Sequence, residues 1–408
     1  MVKDIVYVLL GFLVAAPIPY IINNMNNDDI ILSKTTTSTT TILTASSSSD
    51  SNIITDTNNK RKMQQNIPTK HYNIPIDKYV CNNTVPFPDE YPKWDIIGTD
   101  QQQTKWDPIE CFWANMWHPG VPMRPLPVCT HDPKQDGVIS TFLHTYHFWG
   151  GPDDYNLLLA MGPCTKDRPY MLDIGANLGV YTILGASRGC RSISFEPLSQ
   201  NILRLHQSLI KLGVEDNVLL FKHAVNKQFG NVKIGFRAYN PGASAIGVDA
   251  DVTEHMGQLT IDGLLLGAQP PKFKNNPSKL PIIGKHINFI KIDTEGYDVA
   301  VVSGMLQTII EGKPPHILIE FGPNDAQGTA GCNPYYFVQL MYAAGYRMYE
   351  NAKAYPLRIL LQDELPYALS GKGRRVFEAW FIHDDAAKQW VELGLLQVPV
   401  SSNTVKEK

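Results

Sequence analysis

From residue 170 onward, short apolar runs alternate with longer segments in which apolar positions recur every three to four residues. YMLDI, SISFE, VLLFKHAV, INFIKID, HILIEF and YRMYE read as strands; GVYTILGASRG, SQNILRLHQSLIKLG, DVAVVSGMLQTII and PYYFVQLMYAAG read as the helices between them. That alternation predicts an α/β domain, a doubly wound and mostly parallel sheet with right-handed crossovers. Runs as continuously apolar as INFIKI fit strands covered on both faces. In the helix after INFIKID, Val299, Val302, Leu306 and Ile309 share one stripe, and Asp298 sits in the first turn, where the helix dipole favours a carboxylate. No helical pattern separates YRMYE from RRVFEAWFIH, so the last strand is expected to return antiparallel.

Outside this region the pattern changes. Residues 66–165 are rich in Pro, Trp and His with little periodicity, which predicts an irregular N-terminal subdomain ending in a helix over 138–145. The α/β domain is expected over 166–390, followed by a tail, 391–408. Residues 263–286, with four prolines and four lysines, read as a long loop inserted in that domain. At the other end, residues 5–22 form an uncharged, mostly apolar run, about 27 Å long as a helix. The only small residues in position for signal cleavage, Ala15 and Ala16, run into Pro17, so 1–22 is read as an uncleaved membrane anchor. Lys3 on one side and Asp28 and Asp29 on the other leave the N-terminus cytosolic and the bulk of the chain lumenal. Residues 23–65, dominated by Ser, Thr and Asn, bury too little to offset ordering entropy and read as a flexible stalk.

Composition narrows the function class. A net charge of -3 supplies no basic field for nucleic acid, and a hydrophobic content of 43% suffices for a large core. Six cysteines and the sequon Asn82-Asn83-Thr84 are compatible with an oxidising compartment, here the endoplasmic reticulum or Golgi.

The candidate chemistry begins in LDIGANLGVYT, residues 172–182. No lysine follows Gly179 to make a phosphate loop, and Asn177 stands where a dinucleotide site wants its second glycine. The remaining pattern is Asp173-x-Gly175-x-Asn177-x-Gly179, in which Gly175, Ala176, Asn177 and Gly179 form a turn close to a ligand. Asp173, at the strand's carboxyl end, can pair with a ligand ammonium. Glu196, at the end of the next predicted strand, can accept bonds from two ribose hydroxyls, and His223 and Ala224 close the third strand beside an adenine. S-adenosylmethionine carries an ammonium, a ribose and an adenine without a phosphate, and these positions match those groups.

LDIGANLGVYT, SFEP followed by Asn201, HAV, LTIDGLL, FIKIDTEGYD with Gly304, and ILIEF resemble the FkbM-type methyltransferases, a branch of the class I S-adenosylmethionine-dependent fold. The resemblance runs over roughly residues 131–321, and HDPKQDGVISTFLHTYHFWG is similar to the family's lead-in. It implies a seven-stranded Rossmann-like sheet of order 3-2-1-4-5-7-6 and methyl transfer, usually to a hydroxyl of a sugar or secondary metabolite. Thr294 and Tyr297 depart from the usual KIDTEG segment, which bears on the acceptor pocket more than the donor site.

IKIDTEGYD follows the fourth strand, beside the first across the topological switch point where ligands bind. Asp293 or Glu295 could serve as the base that takes a hydroxyl proton, Lys291 could orient a carboxylate or an acceptor oxygen, and Glu320 ends the next strand facing the same cleft. Alternatively Asp293 or Thr294 caps the next helix while Gly296 eases the turn, with the cap preferred for Thr294. A divalent cation held by the paired carboxylates is the less favoured arrangement. His144 and His147, three apart on a helix without companion ligands, are read as packing residues. The leading reading is an anchored, lumenal O-methyltransferase acting on a glycan or small hydroxylated metabolite. A nicotinamide-dependent oxidoreductase and a non-catalytic binding protein on the same fold are the alternatives.

Overall fold

The structure, a computed structural model, describes residues 21–22, 32–33, 109–115, 125–147, 164–237, 240–246, 252–266, 286–322, 331–350, 358–359 and 377–392. The chain divides into two compact units, residues 1–70 and 71–408. In the first, β1 (Ile21–Ile22) pairs antiparallel with β2 (Leu32–Ser33). The expected anchor otherwise lies outside the described residues, its last two positions being β1. No helix among the described residues is long and apolar enough to cross a membrane. The stalk, apart from Leu32–Ser33, and most of the 263–286 insert also fall outside them.

Among the described residues, the second unit begins with a hairpin, β3 (Glu110–Ala114) with β4 (Leu126–Thr130), in which Cys111 stands directly opposite Cys129 and is disulfide-bonded to it. Helix α1 (Ile139–Tyr146) follows. Then come β5 (Tyr170–Ile174), α2 (Val180–Ser187), β6 (Arg191–Phe195), α3 (Ser199–Leu212) and β7 (Val218–Phe221). A second bridge, Cys164–Cys190, ties the approach to β5 to the start of β6.

The chain next leaves the main sheet. β8 (Ala224–Val225), β9 (Gly230–Arg237), β10 (Asn240–Ile246) and β11 (Val252–Leu259) form a four-stranded sheet of order β10-β9-β11-β8, antiparallel except for the β11–β8 pair. Helix α4 (Ile261–Leu266), β12 (Ile287–Ile292), α5 (Asp298–Ser303), α6 (Leu306–Gly312), β13 (His316–Phe321), α7 (Pro334–Ala343), β14 (Tyr346–Glu350), β15 (Arg358–Ile359), β16 (Phe377–His383) and α8 (Asp384–Glu392) complete the described elements. The main sheet runs β15-β14-β16-β13-β12-β5-β6-β7. It is parallel from β7 through β13, and β16 pairs antiparallel with both β13 and β14.

Both faces of this sheet are covered, as its apolar strands require. Leu172, Ile174, Ile290, Ile292, Ile317 and Ile319 pack toward Leu264, Val299, Val302 and Phe337 on one side. Their neighbours along the strands, Met171, Phe289 and Leu318, pack with Ile183, Leu205, Leu209, Val128 and Trp390 on the other. The hairpin and α1 therefore contribute to the second layer through Val128 and Leu143.

Four expectations are corrected. The sheet has eight strands rather than seven, because β15 pairs with β14, and two residues are too few to show a period. VLLFKHAV is not one strand: Ala224–Val225 pairs with Gln258–Leu259 of the smaller sheet, whose β9, β10 and β11 were not foreseen. DVAVVSGMLQTII is two helices broken at Gly304, where a Cβ would meet the Asn226 carbonyl and the backbone carbonyl accepts from Asp262 N–H at 3.0 Å. Helix α8 runs to Glu392, past the expected start of the tail.

Candidate active site

The turn after β5 is built for close approach. Gly175, Asn177 and Gly179 all have positive φ, 77°, 52° and 83°. Gly175 and Ala176 donate their N–H groups to the Phe195 carbonyl at 3.0 and 2.9 Å. A Cβ on Gly175 would overlap the Asp293 carbonyl oxygen, and one on Gly179 would overlap Leu205. The first glycine thus lets β5 and β12 meet at the switch point; the second lets α2 pack on α3.

A cavity of about 330 Å³ opens there, lined on one side by Gly175, Asn177, Glu196, His223 and Ala224 and on the other by Asp293, Glu295 and Glu320. The smaller sheet supplies the remaining wall through Ile234, Asn240 and Ser244–Ile246. Tyr297 donates its hydroxyl to the Ile246 carbonyl at 3.5 Å and ties that wall to the segment after β12.

Glu196 is buried, yet it faces this cavity. One carboxylate oxygen accepts from Asn177 N–H at 2.8 Å, the other from Leu198 N–H at 3.0 Å and Asn201 Nδ2 at 3.1 Å. Burial outweighs these bonds and pushes its pKa up to about 7. Ribose hydroxyls could add to the same two oxygens.

Asp173 departs from expectation. Its side chain is fully buried and does not line the cavity. It accepts a 2.6 Å bond from Thr182 Oγ1 and lies 3.8 Å from Lys291 Nζ. Burial pushes its pKa up against the pull of Lys291. The structure places this residue inside the fold rather than on the cavity surface, because α2 brings Thr182 over the carboxylate. Ala176 and Gly179 are likewise part of the turn's packing rather than the lining.

Lys291 is the buried cation of the site. Its Nζ donates to the Gly175 carbonyl at 2.6 Å, pairs with Asp293 at 3.2 Å and lies 5.4 Å from the Tyr181 ring centroid. Burial opposes its charge, but Asp293 and Asp173 together hold its pKa above the ordinary lysine value.

Asp293, Glu295 and Glu320 each bring a carboxylate oxygen within 4.8 Å of the others. Burial first, then Asp293, Glu295 and Asp298, push Glu320 up to about 9, so at neutral pH it keeps its proton, hydrogen-bonded to Asp293. Three oxygens so spaced could also ligate a divalent cation. Glu295 is held at φ 52°, a left-handed conformation unusual outside glycine. Neither Asp293 nor Thr294 caps α5. Asp298 instead accepts from Thr294 N–H, Thr294 Oγ1 and Gly296 N–H at 2.8, 3.1 and 3.2 Å, and burial raises its pKa to about 7.

Sequence reasoning missed Glu378, which lines the cavity directly across from Glu320 in the antiparallel register, and Val138 and Ile139, which close it from α1. A lone glutamate in the apolar run VFEAWFIH was the available signal for the first. His144 hydrogen-bonds Thr130 at 2.9 Å, and its ring lies tilted against Phe112 while that of His147 lies edge-on to it, in keeping with packing roles.

The acid-lined cavity lies at the carboxyl ends of the parallel strands, where doubly wound folds place their ligands. Residues 173–348 match the family model described as Methyltransferase FkbM domain. No curated protein matches the chain. Among solved structures, a TehB-like SAM-dependent methyltransferase from Corynebacterium glutamicum is similar at 12% identity, covering 60% of this chain and 94% of that one, with a TM-score of 0.30. A putative O-methyltransferase from Klebsiella pneumoniae matches at 13% identity over 61% of this chain and 97% of its own, with a TM-score of 0.27. An SAH-bound methyltransferase from Podospora anserina matches at 13% identity over 57% and 77%, with a TM-score of 0.25. Likenesses this distant add nothing to the topology already described.

Proposed function

We propose that the protein is an S-adenosylmethionine-dependent O-methyltransferase acting on a hydroxyl of a glycan or small metabolite, anchored in the membrane with its catalytic domain in the lumen of the secretory pathway. The observation that carries this reading is one cavity with a ribose-binding carboxylate, Glu196, at one end and the Asp293, Glu295 and Glu320 cluster at the other. The residues present fit the donor: the Gly175 turn leaves no side chain between backbone and ligand, Glu196 can accept two hydroxyls, and His223 and Ala224 line the cavity where an adenine would lie.

When bound, the donor supplies a methyl group on a positively charged sulfur. The protein's part is alignment and proton management. Asp293 or Glu295 accepts the proton of the acceptor hydroxyl. Glu320, protonated at neutral pH and hydrogen-bonded to Asp293, lowers the negative charge of the cluster beside the acceptor. Lys291 holds Asp293 and the Gly175 carbonyl together, which fixes the base relative to the donor turn. Two disulfides support an oxidising compartment, and the apolar run at 5–22 supports an anchor.

The test is calorimetric titration of the full chain with S-adenosylhomocysteine, followed by methyl transfer to a panel of hydroxylated acceptors. Micromolar binding lost in Glu196→Ala is expected. A folded wild-type protein that binds neither S-adenosylhomocysteine nor S-adenosylmethionine refutes the reading; binding without turnover on any acceptor refutes its catalytic half.

A further inference from the structure

Glu196 is held from behind as well as from the cavity side. Asn201 donates its Nδ2 to the carboxylate at 3.1 Å, and its Oδ1 lies 2.7 Å from His131 Nε2. Asn201 and His131 are each 1% exposed. Since an amide oxygen can only accept, His131 must carry its proton on Nε2, and the whole chain of bonds points one way: imidazole to amide to carboxylate.

His131 is fixed in turn. Its backbone N–H donates to Ser140 Oγ at 3.1 Å, and Ser140 Oγ donates to Asp136 at 2.7 Å. Asp136, also buried, accepts from the N–H groups of Val138, Ile139 and Ser140 at 3.1, 3.1 and 2.8 Å. Val138 and Ile139 are cavity-lining residues. Arg204, one turn along α3 from Asn201, donates to the Thr130 carbonyl at 2.9 Å and fastens the same segment. The network therefore begins at a wall of the cavity and ends on its carboxylate.

We propose that His131 and Asn201 are positioning residues that orient Glu196 toward the donor ribose, so that the 130–140 segment, ahead of the matched domain, is part of the donor-binding site. This rests on the reading of Glu196 as a donor ligand. The physical basis is that the donors meeting its two oxygens set the orientation of a buried carboxylate, and Asn201 joins Leu198 N–H on the oxygen that Asn177 leaves open. Donation from Asn201 also favours the ionised form that accepts hydroxyls, against a burial that raises the pKa. A buried Asn and His pair serving only the fold would stabilise the protein without discriminating between ligands.

The experiment compares the wild-type full chain with His131→Leu, His131→Gln, Asn201→Leu and Glu196→Gln. Binding of S-adenosylhomocysteine and of an analogue lacking the ribose hydroxyls is measured by calorimetry, with a thermal melt for each variant. His131→Leu and Asn201→Leu should weaken S-adenosylhomocysteine about tenfold or more while leaving the analogue within about threefold of wild type. His131→Gln, whose amide N–H can replace the imidazole donor, should restore most of the difference. If Asn201→Leu does not fold, the two His131 variants decide. The inference is overturned if folded His131→Leu binds both ligands as wild type does, weakens both equally, or is not improved in His131→Gln. Wild type that binds while Glu196→Gln binds equally well overturns it alone; wild type that does not bind overturns the proposed function with it.

Discussion

Replacing Lys291 by methionine removes the buried cation that joins the two strands of the site. Its Nζ lies 2.6 Å from the Gly175 carbonyl, 3.2 Å from Asp293 and 3.8 Å from Asp173. The two carboxylates respond differently to its loss. The Asp293 side chain is 38% exposed and can turn to water, whereas the Asp173 side chain is 0% exposed and cannot. Removing one partner of a buried pair costs about 3–5 kcal/mol, here almost entirely through Asp173, and corresponds to a fall in Tm on the order of 10 °C for a domain of this size. The sign of the pH dependence follows. Burial already pushes Asp173 above its ordinary value, and without Lys291 it rises further. A carboxyl whose folded pKa exceeds its unfolded one binds protons more readily in the folded state, so stability is greatest at low pH and is lost as pH rises through the folded pKa. The deficit of Lys291→Met relative to wild type, read by urea denaturation, should therefore be larger at pH 8 than at pH 5. Adding Asp173→Asn should recover most of it. A deficit below about 0.5 kcal/mol, a deficit equal at both pH values, or no recovery in the double variant would refute the account.

Glu196, raised to about 7 from 4.5, makes wild-type stability fall between pH 5 and pH 8 by up to about 3 kcal/mol; Glu196→Gln should flatten that fall, and an unchanged slope in denaturant titrations would count against it. Gly175→Ala should cost more than about 3 kcal/mol, because a backbone carbonyl occupies the Cβ position, whereas Gly189→Ala, at a similar φ of 83° with open space around it, should cost about 1 kcal/mol. Comparable losses in the two melts would mean that φ alone matters. Opening the Cys164–Cys190 bridge, which spans 26 residues, by a double serine substitution should cost about 3 kcal/mol, seen as a lower Tm that reductant does not lower further through this bridge.

What the sequence disclosed follows from which forces act locally. The strands of the parallel sheet are legible because burial on both faces makes them uniformly apolar, as in INFIKI, and the turn residues Gly175 and Gly179 are legible because positive φ is a backbone requirement written into residue type. That Glu196 and Glu320 line the cavity was legible because they end strands that face the switch point. That Asp173 is turned away from the cavity was not legible, because its contacts depend on Thr182 and Lys291 arriving from other elements. The β9 to β11 meander was missed although Val232, Ile234 and Phe236 alternate along GNVKIGFR, because its partner VTEHMGQL interleaves glycine and polar residues with little apolar alternation. Glu378 became a site residue only through its register opposite Glu320, a pairing no local pattern encodes.

The chain leaves the main sheet at Phe221 and enters the smaller one at Ala224, so the cavity's walls are held by two separate hydrogen-bond ladders. The Glu196 side answers to the rigid parallel sheet; the facing wall, Ile234 and Ser244–Ile246, answers to a meander with its own small core of Ile234, Phe236 and Met256. Lengthening a hairpin tip costs a chain only about 0.6 kcal/mol per doubling. Mutation can therefore remodel the meander in steps that leave Glu196 and its bracing untouched, so lineages carrying this scaffold can change what one wall accepts while inheriting the other intact.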